Sequence, residues 1–191
     1  MQQNFNCSIR NLVPIMIRIH DRYFVPFILQ EAIDARVTEI AGEINREYAG
    51  DRPLLIGILN GSFIFAADLF RELSIDAEIS FIKLASYKGT SSTGHVVTAI
   101  GLEESLQGRH VIIVEDIIDT GKTLSAFLPE VYGRQPASVK IATFLSKPAA
   151  LKYDVRANYC AFEIENKFVV GYGLDYNGLG RNLKDLHILS E

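Results

Sequence analysis

Apolar residues recur at helical spacing from Gln30 to Tyr48. Ile33, Val37, Ile40, Ala41 and Ile44 fall on one side, and Glu31, Arg36, Glu39, Glu43 and Arg46 mostly on the other. That period predicts an amphipathic helix, ended by Gly50. Pro53 then introduces Leu54 to Leu59, a short apolar run that reads as the first buried strand. Asn60-Gly61-Ser62 breaks it, and Phe63 to Leu73 reads as a helix with Ser62 as its N-cap. Ala77 to Leu84 and Val96 to Ile100 read as strands. Between them Ser86 to Gly94 carries glycines and hydroxyl side chains with little to bury, which predicts a loop. Val111 to Val114 is a β-branched run suited to a strand buried on both faces, as in a parallel sheet. A turn from Asp119 leads into a helix beginning near Thr123 and continuing to Tyr132, which Pro129 is expected to kink or shorten. Ser138 to Leu145, Tyr159 to Ile164 and Phe168 to Val170 complete the apolar runs.

The chemistry concentrates between Val111 and Thr123. Glu115 and Asp116 end the apolar run abruptly. Two ionised carboxylates directly after a core strand are costly to bury unpaired. They are therefore expected to emerge at its carboxyl end and to face cations or hydroxyl groups, where open α/β sheets place ligands. Asp119-Thr120-Gly121-Lys122-Thr123 follows after Ile117 and Ile118. Small residues there let backbone N–H groups approach a phosphate, the threonine hydroxyls add donors, and the helix dipole favours negative charge.

Composition narrows the class. A chain of 191 residues with 48% hydrophobic content can build one domain with a substantial core. The net charge of -4 argues against a nucleic-acid surface that depends on overall basic charge. Cys7 and Cys160 make neither a metal spacing nor a disulfide framework, which suits a reducing cytoplasm. Met1 to His20 is broken by Arg10, Pro14, Arg18 and His20 and does not read as a signal peptide, and no stretch is long enough for a membrane span. No internal repeat or linker marks a second domain.

Several motif readings fail on spacing. Gly121-Lys122-Thr123 lacks the glycine that an NTPase phosphate loop needs where Asp116 stands. Asp119-Thr120-Gly121 is a single triplet, whereas an aspartic protease needs two aspartates sharing a site. Gly171-Tyr172-Gly173 is no dinucleotide fingerprint, because Tyr176 stands where the third glycine belongs. The run of four apolar residues, two acids, two apolar residues and Asp-Thr-Gly-Lys-Thr does resemble the phosphoribosyl-pyrophosphate (PRPP) signature of type I phosphoribosyltransferases. Lys167 to Asn177, Lys-Phe-Val-Val-Gly-Tyr-Gly-Leu-Asp-Tyr-Asn, resembles the hypoxanthine-guanine branch of that family. The likeness runs from about Arg22 to Glu191, with two separated motifs in the right order.

The resemblance implies a doubly wound, mostly parallel α/β sheet flanked by helices. The core would run over about 30–156, with a small hood built from the N-terminal segment and about 157–191. It implies transfer of a 5-phosphoribosyl group from PRPP to hypoxanthine or guanine, giving IMP or GMP and pyrophosphate, with Mg2+ as cofactor. Glu115 and Asp116 would hold the ribose hydroxyls, and Asp119, Thr120, Gly121, Lys122 and Thr123 the 5′-phosphate. Asp119 would sit near purine N7, and Lys147 would donate to the exocyclic oxygen of a 6-oxopurine, selecting against adenine. Phe168 would stack on the base and the Val169 backbone would read its edge. Asp175 would stand near the base and on the metal, with Glu115 and Asp116 as further metal-side carboxylates. Arg181, Asn60 and Gly61 would meet pyrophosphate, Asn60 standing where the family often has lysine, so that a backbone role survives and a charged one does not. Ser86 and Tyr87 would belong to the mobile loop that closes over PRPP. The family pattern further implies a homodimer or homotetramer, no membrane and no nucleic-acid partner. Two alternatives stay open: a related transferase preferring xanthine or another base, and a sensor of PRPP or nucleotides that binds RNA or DNA.

Overall fold

The computed structural model describes residues 16–87 and 96–190. Its larger sheet has six strands: β3 (Leu54–Leu59), β4 (Glu78–Tyr87), β5 (Val96–Ile100), β6 (His110–Ile118), β7 (Ser138–Ser146) and β8 (Tyr159–Glu163). Their spatial order is β5-β4-β3-β6-β7-β8. All neighbours run parallel except β4 and β5, which form an antiparallel hairpin at one edge. Helices α1 (Gln30–Glu47) and α2 (Phe63–Arg71) cover one face and α3 (Lys122–Gly133) the other. Covering both faces removes water from Val111 to Val114, all fully buried, as a parallel strand requires.

A second sheet, ordered β1-β2-β10-β9, is antiparallel and joins β1 (Ile17–Ile19) and β2 (Arg22–Ile28) to β9 (Val169–Val170) and β10 (Leu186–Leu189). It packs around Ile19, Phe24 and Val170. The N-terminal strands are thus held by the C-terminal ones, and the Gln30 N–H at the start of α1 donates to Asp185 Oδ1 at 2.8 Å. No helix among the described residues is long and apolar enough to cross a membrane.

The apolar face expected for α1 is the buried one, residue for residue. Other expectations need correction. Ser62 does not cap α2: its hydroxyl donates to the Ile58 carbonyl at 2.6 Å, and its backbone is already helical. That bond ties the turn back to β3. Helix α2 ends at Arg71, two residues short of Leu73, and α3 runs through Pro129 to Gly133, since a proline φ suits a helix even though its missing N–H costs a bond. Ser86 and Tyr87, expected in a loop, are the last residues of β4, where their backbones pair with Val97 and Val96. The rest of that loop, residues 88–95, lies outside the described residues. Tyr159–Glu163, grouped with the hood from sequence, pairs with β7 in the main sheet.

Phe144, in β7, is fully buried and meets Phe65 at 5.9 Å, Phe162 at 5.8 Å and Tyr172 at 4.7 Å between ring centroids. It thereby joins α2, β8 and the C-terminal segment through one aromatic cluster. Replacing it with alanine removes those contacts and leaves a cavity, which should lower stability by about 3–5 kcal/mol, measured by urea unfolding.

Candidate active site

Strand β6 carries its carboxylates further into the sheet than the sequence suggested. The strand continues to Ile118, so Glu115 and Asp116 lie within it. Glu115 is 8% exposed, and its Oε2 has no hydrogen-bond partner. Burial, with Asp116 beside it, pushes the Glu115 carboxyl well above the usual carboxylate range. Burial likewise pushes Asp116 up to about 6, against the opposing pull of the Ile117 N–H and of Arg181. The Ile117 N–H donates to Asp116 Oδ1 at 2.8 Å.

The other Asp116 oxygen packs on the loop after β3. A Cβ placed on Gly61 would lie 1.4 Å from Asp116 Oδ2, so glycine is required there by close approach. Gly61 also meets the C-terminal segment: a Cβ on Gly173, itself at φ +101°, would fall 2.1 Å from the Gly61 carbonyl oxygen. The Leu59–Asn60 peptide beside it is cis, and Asn60 is exposed.

Beyond β6, Gly121 adopts φ +78° immediately before α3 and has no side chain to cap it, while the Thr120 hydroxyl accepts from the Lys122 N–H at 3.3 Å. The Thr120 carbonyl accepts from the N–H groups of Lys152 and Tyr153, which brace the turn from behind. A cavity of about 250 Å³ runs along Glu115 to Leu124. The N–H groups of the first turn of α3 beyond Lys122, next to small residues, make that cavity suited to an anion.

A second cavity, of about 210 Å³, adjoins it and shares Asp116, Ile117 and Asp119. Its other walls are Lys147, Phe168, Val169, Leu174 and Asp175. Lys147 follows β7, is 7% exposed, and places Nζ 3.8 Å from Asp119 Oδ2. It is therefore no solvated surface charge. Phe168 is 46% exposed, with its ring edge-on to Tyr176 at 5.7 Å, so it offers apolar area to the cavity.

Asp175 and Arg181 form an ion pair at 2.6 Å, Arg181 also donates to the Gly173 carbonyl, and the Gly178 N–H donates to the second Asp175 oxygen. Glu115, Asp116 and Asp175 do not converge into a cluster of three ligands, and no such His, Cys, Asp or Glu group occurs among the described residues. The reason is geometric: Glu115 is buried in the strand and both Asp175 oxygens are already engaged. Oxygen-only donors still suit a hard cation that brings most of its ligands with it.

The fold thus draws Gly61, Glu115 to Thr123, Lys147, Phe168, Val169, Asp175 and Arg181 to one end of the sheet. The walls that sequence reasoning missed are Ile117 and Leu174, whose apolar character reads as ordinary core, and Gly173, whose close approach to Gly61 only the folded chain reveals.

Residues 28–177 match the family model described as the phosphoribosyl transferase domain. The chain is 40% identical over 163 residues to the hypoxanthine-guanine-xanthine phosphoribosyltransferase of Tritrichomonas foetus, covering 85% of this chain and 89% of that one. It is 40% identical over 165 residues to the hypoxanthine-guanine phosphoribosyltransferase of Streptococcus pneumoniae, covering 86% and 92%. The crystal structure of a hypoxanthine-guanine phosphoribosyltransferase from Bacillus anthracis superposes with a TM-score of 0.79 at 36% identity, covering 86% of this chain and 96% of that one. With the family model matching most of its length and its cavities lying along the motif that carries the resemblance, the chain belongs to the phosphoribosyl transferase domain family.

Proposed function

We propose that this chain is a purine salvage enzyme that transfers the 5-phosphoribosyl group from PRPP to hypoxanthine or guanine, giving IMP or GMP and pyrophosphate. The observation that carries this reading is the pair of adjoining cavities, one along the Asp119–Thr123 turn and one walled by Lys147 and Phe168, meeting at Asp119. The first accepts the 5′-phosphate on Asp119 to Thr123, with Asp116 and Glu115 toward the ribose. The second accepts the base, with Phe168 on its face, Val169 and Asp175 at its edge, and the Lys147 ammonium donating to the 6-oxygen. Adenine presents a donor at that position, so a buried ammonium rejects it.

Cleavage at the anomeric carbon develops positive charge on the sugar and negative charge on the departing pyrophosphate. This chain's part is to hold the base nitrogen close, receive the leaving group on Arg181 and the Gly61 backbone, and take the base's N7 proton on Asp119. A magnesium ion travelling with PRPP, reached by the Asp175 carboxylate and on the ribose side by Asp116 or Glu115, would neutralise pyrophosphate charge. With Asn60 in the loop after β3, Arg181 is the side-chain cation this reading places there. The enzyme works in the cytoplasm as a homodimer or homotetramer, with the exposed Phe63 and Phe81 suited to an interface between copies. A related Trypanosoma cruzi hypoxanthine phosphoribosyl transferase, 35% identical with a TM-score of 0.79 over 91% of this chain and 95% of that one, was studied for the role of its C-terminal region in oligomeric state and activity.

The deciding experiment is pyrophosphate release on mixing the protein, PRPP and magnesium with hypoxanthine, guanine, xanthine or adenine. Release with the first two and none with adenine is expected; binding without release favours a sensor. The name of the Tritrichomonas relative makes xanthine the base to watch. Asp119→Asn should slow turnover by about 10²–10⁴-fold with little change in PRPP affinity, as loss of a proton acceptor does. Lys147→Ala should act differently, weakening base affinity; equal hypoxanthine binding by both forms contradicts its role. Asp116→Asn tests what the site costs the fold. Because the folded form raises this carboxyl from 3.8 to about 6, its ionisation destabilises the protein as pH rises through that window, and the penalty is absent below it. The variant should therefore be more stable than wild type at pH 8, by on the order of 2–3 kcal/mol, and no more stable at pH 3.5, compared by thermal melting.

A further inference from the structure

Tyr172 stands outside both cavities, yet the structure constrains it from every side. Its φ of 46° is a backbone conformation that residues with side chains rarely adopt, and such strain persists only where the surroundings enforce it. The ring is 4% exposed and packs on Phe144, the N–H donates to the Leu183 carbonyl at 2.8 Å, and the hydroxyl donates to Asp68 Oδ2 at 2.8 Å. Burial and the Asp68 carboxylate hold the phenol well above its usual range, so it remains a donor at physiological pH.

What these contacts join is informative. Asp68 lies on α2, the helix that begins two residues after Gly61. Tyr172 is followed by Gly173, which abuts the Gly61 carbonyl, and the Gly173 carbonyl in turn receives Arg181. The two halves of the surface assigned above to pyrophosphate, the loop after β3 and the Arg181 guanidinium, therefore share one side-chain tether. Lys147 and the Asp119–Thr123 turn follow β7 and β6, which the Tyr172–Asp68 hydrogen bond does not join.

We infer that Tyr172, through Asp68, is a positioning residue for the leaving group: it sets the spacing between the Gly61 loop and Arg181, and leaves the grip on the nucleoside monophosphate alone. This rests on the activity proposed above. The test is calorimetric titration of magnesium pyrophosphate and, separately, of IMP into wild type, Tyr172→Phe and Asp68→Ala, with steady-state kinetics alongside. Tyr172→Phe should weaken pyrophosphate binding and raise KM for PRPP about five- to twentyfold, the scale of one hydrogen bond to a charged group, while IMP affinity changes by less than about twofold. Asp68→Ala should match it, the double variant should lose no more than either single one, and Asp68→Asn, which retains an acceptor, should keep most of the wild-type affinity. Unchanged pyrophosphate binding, or equal losses for pyrophosphate and IMP, overturns the inference, the second by marking a merely structural role. Should Tyr172→Phe not fold, Asp68→Ala carries the same comparison from the half-exposed side of α2. Wild-type protein that binds pyrophosphate but transfers nothing overturns the activity alone; no affinity for pyrophosphate overturns both.

Discussion

The molecule is built around one unfavourable placement, the Asp116 carboxylate at the carboxyl end of a central parallel strand, pressed against the backbone of Gly61. Moving ionised oxygens out of water at that position works against folding, and the upward displacement of the Asp116 and Glu115 carboxyls reports the cost. The offset comes from the sheet. Strand β6 lies between β3 and β7, with Val111 to Val114 fully buried, so its direction and depth are fixed by packing on both faces. Parallel topology then delivers the ends of β3, β6 and β7 to the same edge, and with them the Gly61 loop, the Asp119–Thr123 turn and Lys147.

The C-terminal segment meets that edge by close backbone contact as well as through side chains such as Tyr172, Leu174 and Leu186, which join the main core. Gly173 sits against Gly61, and Gly171, at φ +112°, would place a Cβ only 2.2 Å from the Asp185 carbonyl oxygen. Close approach of this kind leaves little room for the C-terminal wall to shift independently of the core. Asp175 and Arg181 hang from the same segment and neutralise each other at 2.6 Å. The pair ties the acid that lines the second cavity to a cation eight residues beyond Gly173 in the same loop.

Periodicity and local chemistry made much of this legible in the chain. The buried stripe of α1, the short run of β3 and the strand and turn from Val111 to Thr123 each carry a signal within a dozen or so residues; the first two formed as read, and the third formed with its strand running on to Ile118. The failures share a cause. Ser62 looked like a cap because local preference was all that could be weighed, yet its hydroxyl bonds back to Ile58. Glu115 is expected from its charge to emerge at the strand's carboxyl end and face cations or hydroxyl groups, but the ladder with β7 extends past it to Ile118. Tyr159–Glu163 could not be assigned to the larger sheet from its own composition, since a short apolar strand fits either sheet equally. Lys147 enters the site only through the resemblance, since a lone lysine after a strand carries no local signal of its burial. The Asp175–Arg181 pair and the Tyr172–Asp68 tether join residues whose spacing in sequence carries no period at all.

The two cavities differ in what they ask of the chain, and their shared wall shows where reaction and recognition meet. Of the residues common to both, Ile117 has nothing to exchange, and Asp116 is wedged between Gly61 and the Ile117 N–H. Asp119 alone among them has half its side chain in solvent, with the buried Lys147 ammonium 3.8 Å away. On the activity proposed above, a carboxylate between the Asp119–Thr123 turn and the second cavity, with a cation beside it, would be the wall group able to accept a proton as the bond between sugar and base forms. The sheet edge fixes the buried walls, and the half-exposed Asp119 is left outside the core.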